Sequence, residues 1–117
     1  MGREAQRQIR MIEDYIDQLS DSVEKAIKES MRCLFAKDLS GARIVVENDK
    51  KINALRFAIE NLCVSFIATQ QPVARDVREV VSVLYIIVDL ERMGDYAEGI
   101  GRVTLQFPED FDFAAYE

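Results

Sequence analysis

The chain has 117 residues, of which 49% are hydrophobic and 31% are charged, and its formal net charge is −6. These values are typical of one soluble globular domain and argue against disorder. The acidic balance disfavours nucleic acid and anionic membranes as primary partners, because both bind basic surfaces. The sequence contains no histidine, which excludes histidine triads, histidine-ligated zinc and histidine-containing di-iron sites.

The N-terminal residues are charged and contain no apolar signal core, and no apolar run reaches about 18 residues. We therefore expect no direct membrane insertion and a cytoplasmic location. The two cysteines, Cys33 and Cys63, are expected to be free and buried. The helical register described below separates them by about 30 Å, which is beyond the reach of a disulfide.

Apolar residues recur in steps of three or four from Arg3 to about Ala36, without an intervening glycine or proline. This period predicts one helix of about 30 residues. A break follows at residues 37–41, where Asp38 or Ser40 is suited to cap the next helix. The same period predicts a second helix over residues 39–69.

A second break contains Gln71 and Pro72, and we expect Pro72 at the first position of a third helix that ends near Gln106. One edge of this helix carries small residues, which predicts close packing against a neighbouring helix; they are Gly94, Ala97 and Gly101. The expected fold is all-α, an antiparallel up-down-up three-helix bundle. We expect one domain over residues 1–107 and a loosely ordered acidic and aromatic tail over 108–117.

Acidic residues follow one another along the third helix: Asp89, Glu91, Asp95 and Glu98. Glu91 and Asp95 are four residues apart, so they lie about 6 Å apart on one helical face. Like charges at this spacing destabilise a helix unless a cation compensates them. Arg92 can pair with Asp89 or Asp95, and Arg102 can pair with Glu98.

The second helix brings two more oxygen-bearing side chains to the same level. Asp49 occupies a position where the helical period calls for an apolar residue, and Asn53 lies one turn further on. If the second and third helices turn back at Gln71, Asp49 faces the gap between Glu91 and Asp95. By the same count, Asn53 faces Asp89.

Carboxylates and an amide form a hard-ligand set that suits magnesium, manganese, calcium or iron better than zinc or copper. The residue spacing leaves two interpretations open. The acidic cluster is either a cation site or a solvated face that neighbouring arginines neutralise.

Three motifs carry a resemblance to a known family. Residues 89–97, DLERMGDYA, closely resemble the DLERIGD signature of the PhoU family. Residues 47–53, ENDKKIN, resemble its second-helix motif, and residues 70–78, QQPVARDVR, resemble its link into the third helix. The likeness extends from about Met11 to Thr104, with the motifs in the same order.

The resemblance implies a cytoplasmic helical protein that represses the phosphate-starvation response. PhoU-like proteins are thought to couple a phosphate ABC transporter to a sensor histidine kinase, and their Glu/Asp-x-x-x-Asp motifs can hold multinuclear metal clusters at the protein surface. The metal ligands that it implies by position are Asp49, Asn53, Glu91 and Asp95, with Asp89 and Glu98 in a second rank. The metal would be a divalent or trivalent ion of the hard type, such as iron, manganese, magnesium or calcium.

Two departures from the family pattern bear on these expectations. Asn53 stands where the second-helix motif often ends in a carboxylate, which weakens one ligand. The chain also carries one three-helix repeat where the usual family member carries two in tandem. The surface that normally meets the other repeat would be uncovered, so we expect a homo-oligomer.

The leading hypothesis is therefore a metal-binding, non-enzymatic regulator of phosphate transport. An alternative is a helical interaction module, associated with another transporter or channel, that needs no metal. A third is an enzyme with a carboxylate-only di-metal site, an oxidase or a phosphohydrolase. The lack of histidine and the expected surface position of the site disfavour this third hypothesis.

Overall fold

The structure is a computed structural model in which residues 2–108 are described, and these residues form three helices and no strand. The helices are α1 (Arg3–Ala36), α2 (Leu39–Gln70) and α3 (Ala74–Gln106). Each helix packs against the other two, which confirms the predicted all-α three-helix bundle. The predicted tail lies outside the described residues apart from Pro108.

The connection between α1 and α2 is short and held by polar contacts. Asp38 is the N-cap of α2, and its side chain accepts a hydrogen bond from the backbone N–H of Gly41 at 2.9 Å. Arg32, near the end of α1, forms an ion pair with Asp38 at 3.1 Å. These contacts fix the angle at which the chain enters α2.

The prediction of free, buried cysteines is confirmed for both Cys33 and Cys63.

The connection between α2 and α3 differs from the sequence prediction. Pro72 precedes α3 rather than opening it, because Gln71 adopts a left-handed conformation and Val73 is the N-cap in extended backbone. The facing residues of the two helices are symmetric about position 73, two residues later than expected, since Gly94 lies beside Ile52. Each α2 residue consequently lies level with an α3 residue about one helical turn further along than predicted.

The core is built from large apolar side chains of all three helices. Fully buried examples are Leu19 and Val23 of α1, Ile59 and Phe66 of α2, and Ile87 of α3. Burying each such side chain contributes roughly 1.5–3 kcal/mol. This contact between the helices fixes which faces of α2 and α3 meet, and so sets the position of the polar side chains at their shared edge.

Small residues bring α3 close to α2, as predicted. A Cβ atom built on Gly101 would lie 3.1 Å from Val46 Cγ2 and 3.2 Å from the backbone oxygen of Ala42. A Cβ atom on Gly94 would lie 3.2 Å from the Ile52 side chain. This close approach carries the acidic edge of α3 against α2.

Length and composition alone would allow α2 to cross a membrane, since an 18-residue window reaches a mean hydropathy of 1.2 with two or fewer charged residues. No such segment is expected from the apolar runs of the sequence. One such helix is weak evidence of a membrane span. The helix packs against both of its neighbours, and 22% of the apolar window is buried inside the bundle.

Candidate metal centre

Three carboxylates meet across the edge between α2 and α3. One oxygen each from Asp49, Asp95 and Glu98 lies within 4.8 Å of the others. Asp49 comes from α2 and is buried, with 6% of its surface exposed. Asp95 and Glu98 come from α3; Asp95 is exposed and Glu98 is half-buried. The group therefore opens to solvent on the Asp95 side.

Asp49 is the least satisfied member of this group. Its Oδ2 accepts a hydrogen bond of 3.4 Å from Asn53 Nδ2, whereas its buried Oδ1 has no hydrogen-bond partner among residues 2–108. A buried acceptor without a partner costs about 1–3 kcal/mol. A cation bound between the three carboxylates would give this oxygen a partner.

The local electrostatics hold a proton in the cluster near neutral pH. Burial, followed by contact with Glu98 and the charge of Asp95, raises the pKa of Asp49 to about 7. Contact with Asp49 and with the Arg102 guanidinium lowers the pKa of Glu98; Arg102 Nε lies 2.5 Å from Glu98 Oε1. A protonated Asp49 donates a hydrogen bond to Glu98, so the contact between the two carboxyl groups lacks a cation only when Asp49 is ionised. A metal ion would compete with that proton for the site.

The other ligands predicted from the sequence do not join this group of three carboxylates. Asn53 contacts Asp49, and its own buried Oδ1 has no partner in the described chain. Glu91 pairs with Arg56, whose Nε lies 3.0 Å from Glu91 Oε2. Asp89 is exposed, 4.0 Å from Arg92. The difference from the prediction follows from the connection between α2 and α3. Because the chain turns later than expected, Asp49 lies level with residues one helical turn further along α3.

The observed group thus differs in membership from the predicted ligand set. Asp49 and Asp95 come together as expected, and the second-rank residue Glu98 joins them. Glu91 does not join them. Its ion-pair partner, Arg56, was not predicted from the sequence. A usable signal was present, because Arg56 lies seven residues after Asp49 and so on the same face of α2.

Fold and site together define a helical-bundle protein with a carboxylate cluster between two antiparallel helices. The PhoU domain profile matches residues 16–104, and the chain belongs to the PhoU family. The resemblance inferred from the three motifs is thereby confirmed.

Similar proteins extend this assignment. The chain is 36% identical over 111 residues to the phosphate-specific transport system accessory protein PhoU homolog of Borreliella burgdorferi, covering 94% of this chain and 50% of that protein. It is 32% identical over 99 residues to the PhoU accessory protein of Escherichia coli, covering 85% and 41% of the two chains.

A solved structure shows the same fold. The crystal structure of PhoU from Pseudomonas aeruginosa is 30% identical, with a TM-score of 0.83 over 86% of this chain and 48% of that one. The chain thus spans about half the length of the curated relatives that it matches.

Proposed function

We propose that the protein is a non-enzymatic, metal-binding regulator of phosphate transport and of the phosphate-starvation response in the cytoplasm. Membership of the PhoU family supports the connection with phosphate transport, since the similar proteins are named as accessory proteins of a phosphate-specific transport system. Its partners in this role are a phosphate ABC transporter and a sensor histidine kinase.

One observation carries the metal proposal. The buried Oδ1 of Asp49 has no hydrogen-bond partner among the described residues, and one oxygen of Asp49 lies within 4.8 Å of an oxygen of both Asp95 and Glu98 on another helix. Asp49, Asp95 and Glu98 would hold the ion, and Asn53 would orient Asp49. The all-oxygen set favours a hard ion such as manganese, iron, magnesium or calcium. The bound ion would supply positive charge that links α2 to α3.

Manganese binding tests this proposal. We expect Mn²⁺ to bind the wild-type protein and to bind at least about tenfold more weakly to the triple variant Asp49→Ala, Asp95→Ala, Glu98→Ala, which loses the convergent oxygens. Equilibrium dialysis with metal analysis measures this. Asp89→Ala is the matched control, because Asp89 is exposed and outside the group. Equal Mn²⁺ in the wild-type and triple-variant proteins would refute the site.

A second candidate is an interaction module that needs no metal. The ion pairs Arg56–Glu91 and Arg102–Glu98 favour it, because they already neutralise two of the carboxylates at this edge. The acidic edge would then contact a basic surface on a transporter or channel. Binding to the transporter that survives removal of metal by a chelator would support this candidate over the first.

A further inference from the structure

Arg56 lies between carboxylates of two different helices. Its Nε is 3.0 Å from Glu91 Oε2 on α3, and its Nη2 is 3.7 Å from Glu60 Oε2 on α2. The guanidinium carbon also lies 4.9 Å from the centre of the Phe57 ring. These contacts hold one positive charge at a defined place, with only 22% of the Arg56 side chain exposed.

This charge sits beside the candidate metal centre, along the same edge between α2 and α3. Glu91 precedes Asp95 by one helical turn, and Arg56 follows Asp49 by two. The edge therefore carries two groups of carboxylates in succession. In the first, the buried oxygen of Asp49 has no partner in the described chain; in the second, Arg56 pairs with both Glu60 and Glu91.

The two groups differ in how a metal ion could reach them. An ion that approaches Asp49 meets a buried oxygen with no hydrogen-bond partner in the described chain, whereas an ion that approaches Glu91 must displace a guanidinium. The Arg56 guanidinium is an ion-pair partner of both carboxylates, although its buried Nε makes no hydrogen bond within the described chain. Its positive charge repels a metal cation at the same place. The first group also has a guanidinium neighbour, because Arg102 pairs with Glu98, but the Arg102 side chain is 62% exposed against 22% for Arg56 and pairs with one carboxylate of the three. The first group is therefore the more open of the two to an added ion.

We propose that Arg56 occupies the second cation position of this edge and limits the centre to one metal ion per chain. Glu91 then serves the guanidinium and is not a metal ligand. This inference rests on the proposed metal binding, and it specifies the number of ions that the proposed centre holds.

Counting Mn²⁺ ions in wild-type and Arg56→Met proteins tests the proposal. Methionine keeps much of the apolar stem of arginine and removes its charge. We expect about one Mn²⁺ per chain in the wild type and about two in Arg56→Met, because Glu60 and Glu91 are left facing each other without a cation. Adding Glu91→Gln to Arg56→Met should return the count to about one.

Two controls separate position from net charge. Arg92→Met removes the same charge from a side chain that pairs with Asp89, and it should leave the count at about one. Arg56→Lys keeps a cation at the position and should do the same. A count of about two in the wild type, or of one in folded Arg56→Met, would overturn the role of Arg56 while leaving metal binding intact.

Two further outcomes keep the test decisive. If circular dichroism shows that Arg56→Met does not fold, Glu91→Gln in the wild-type background decides: unchanged Mn²⁺ affinity supports the proposal, and a tenfold loss refutes it. If the wild type binds no Mn²⁺ but Arg56→Met binds an ion that depends on Glu91, the centre at Asp49 fails and the role of Arg56 stands. No Mn²⁺ in either protein would overturn both.

Discussion

The titration of Asp49 is expected to make the stability of the folded protein depend on pH. Its pKa in the folded protein is raised from 3.8 to about 7, chiefly by burial. Between these two values the folded state binds more protons than the unfolded state, so the contribution of Asp49 to stability falls as pH rises through this window. Glu98 acts in the opposite direction, but only at lower pH, since its pKa is lowered from 4.5.

We therefore expect the metal-free protein to lose thermal stability between pH 5 and pH 7, and Asp49→Asn to lose much less. One pKa unit corresponds to about 1.4 kcal/mol, so the effect is of the order of a few kcal/mol. Thermal unfolding followed by circular dichroism, in a chelator and at constant ionic strength, measures it. Parallel pH profiles for the two proteins would contradict the expectation.

Helix packing at the small-residue edge of α3 has its own test, which compares two glycines two residues apart. A Cβ atom on Gly99 meets nothing within 4 Å, whereas one on Gly101 meets Val46 and the backbone oxygen of Ala42. Gly99→Ala should stabilise the protein by roughly 0.5–1 kcal/mol through helix propensity. Gly101→Ala should destabilise it by about 1 kcal/mol, because a backbone oxygen cannot easily move aside.

Urea unfolding of the two variants and the wild type gives both free energies under the same conditions. Gly99→Ala is the control for helix propensity, so the difference between the variants isolates the contact with α2. If Gly101→Ala stabilises the protein as much as Gly99→Ala does, the helices do not approach as closely as described.

Periodicity predicted the helices well and the register between them less well. The bounds of α1 and α2 were predicted to within a residue, because no glycine or proline interrupts the long period of α1 and two cap candidates, Asp38 and Ser40, mark the start of α2; Asp38 is the N-cap. The start of α3 was predicted two residues too early. Proline suits both the first helical position and the preceding connection, and the sequence alone does not distinguish the two.

This two-residue error in the connection accounts for the difference between the predicted and the observed group of carboxylates. A shift of two residues in the turn moves the facing residue on α3 by about four, which is one helical turn. Asp49 consequently meets Glu98 rather than Glu91, while Glu91 comes level with Arg56. The carboxylate character of the candidate site was predictable from residue types. Its membership depended on tertiary packing.

For the whole molecule, the exposed apolar surface bears on assembly. Several large apolar or aromatic side chains are more than half exposed, among them Phe57, Tyr85 and Tyr96 at 54%, 73% and 72%. We expect the protein to self-associate and so cover part of this surface. Light scattering over a range of concentrations should show a mass that rises above that of one chain. A constant monomer mass at high concentration would remove the expectation.

The placement of the cluster on two helices has a consequence for motion. Asp49 belongs to α2, whereas Asp95 and Glu98 belong to α3. An ion held by all three would therefore act as a reversible cross-link between the two helices. By mass action, the free energy of separating α2 from α3 would then increase with the logarithm of the free ion concentration. Amide hydrogen exchange in α2 and α3 near this cross-link would slow as the ion concentration rose, so the local stability of the hairpin would depend on the metal supply.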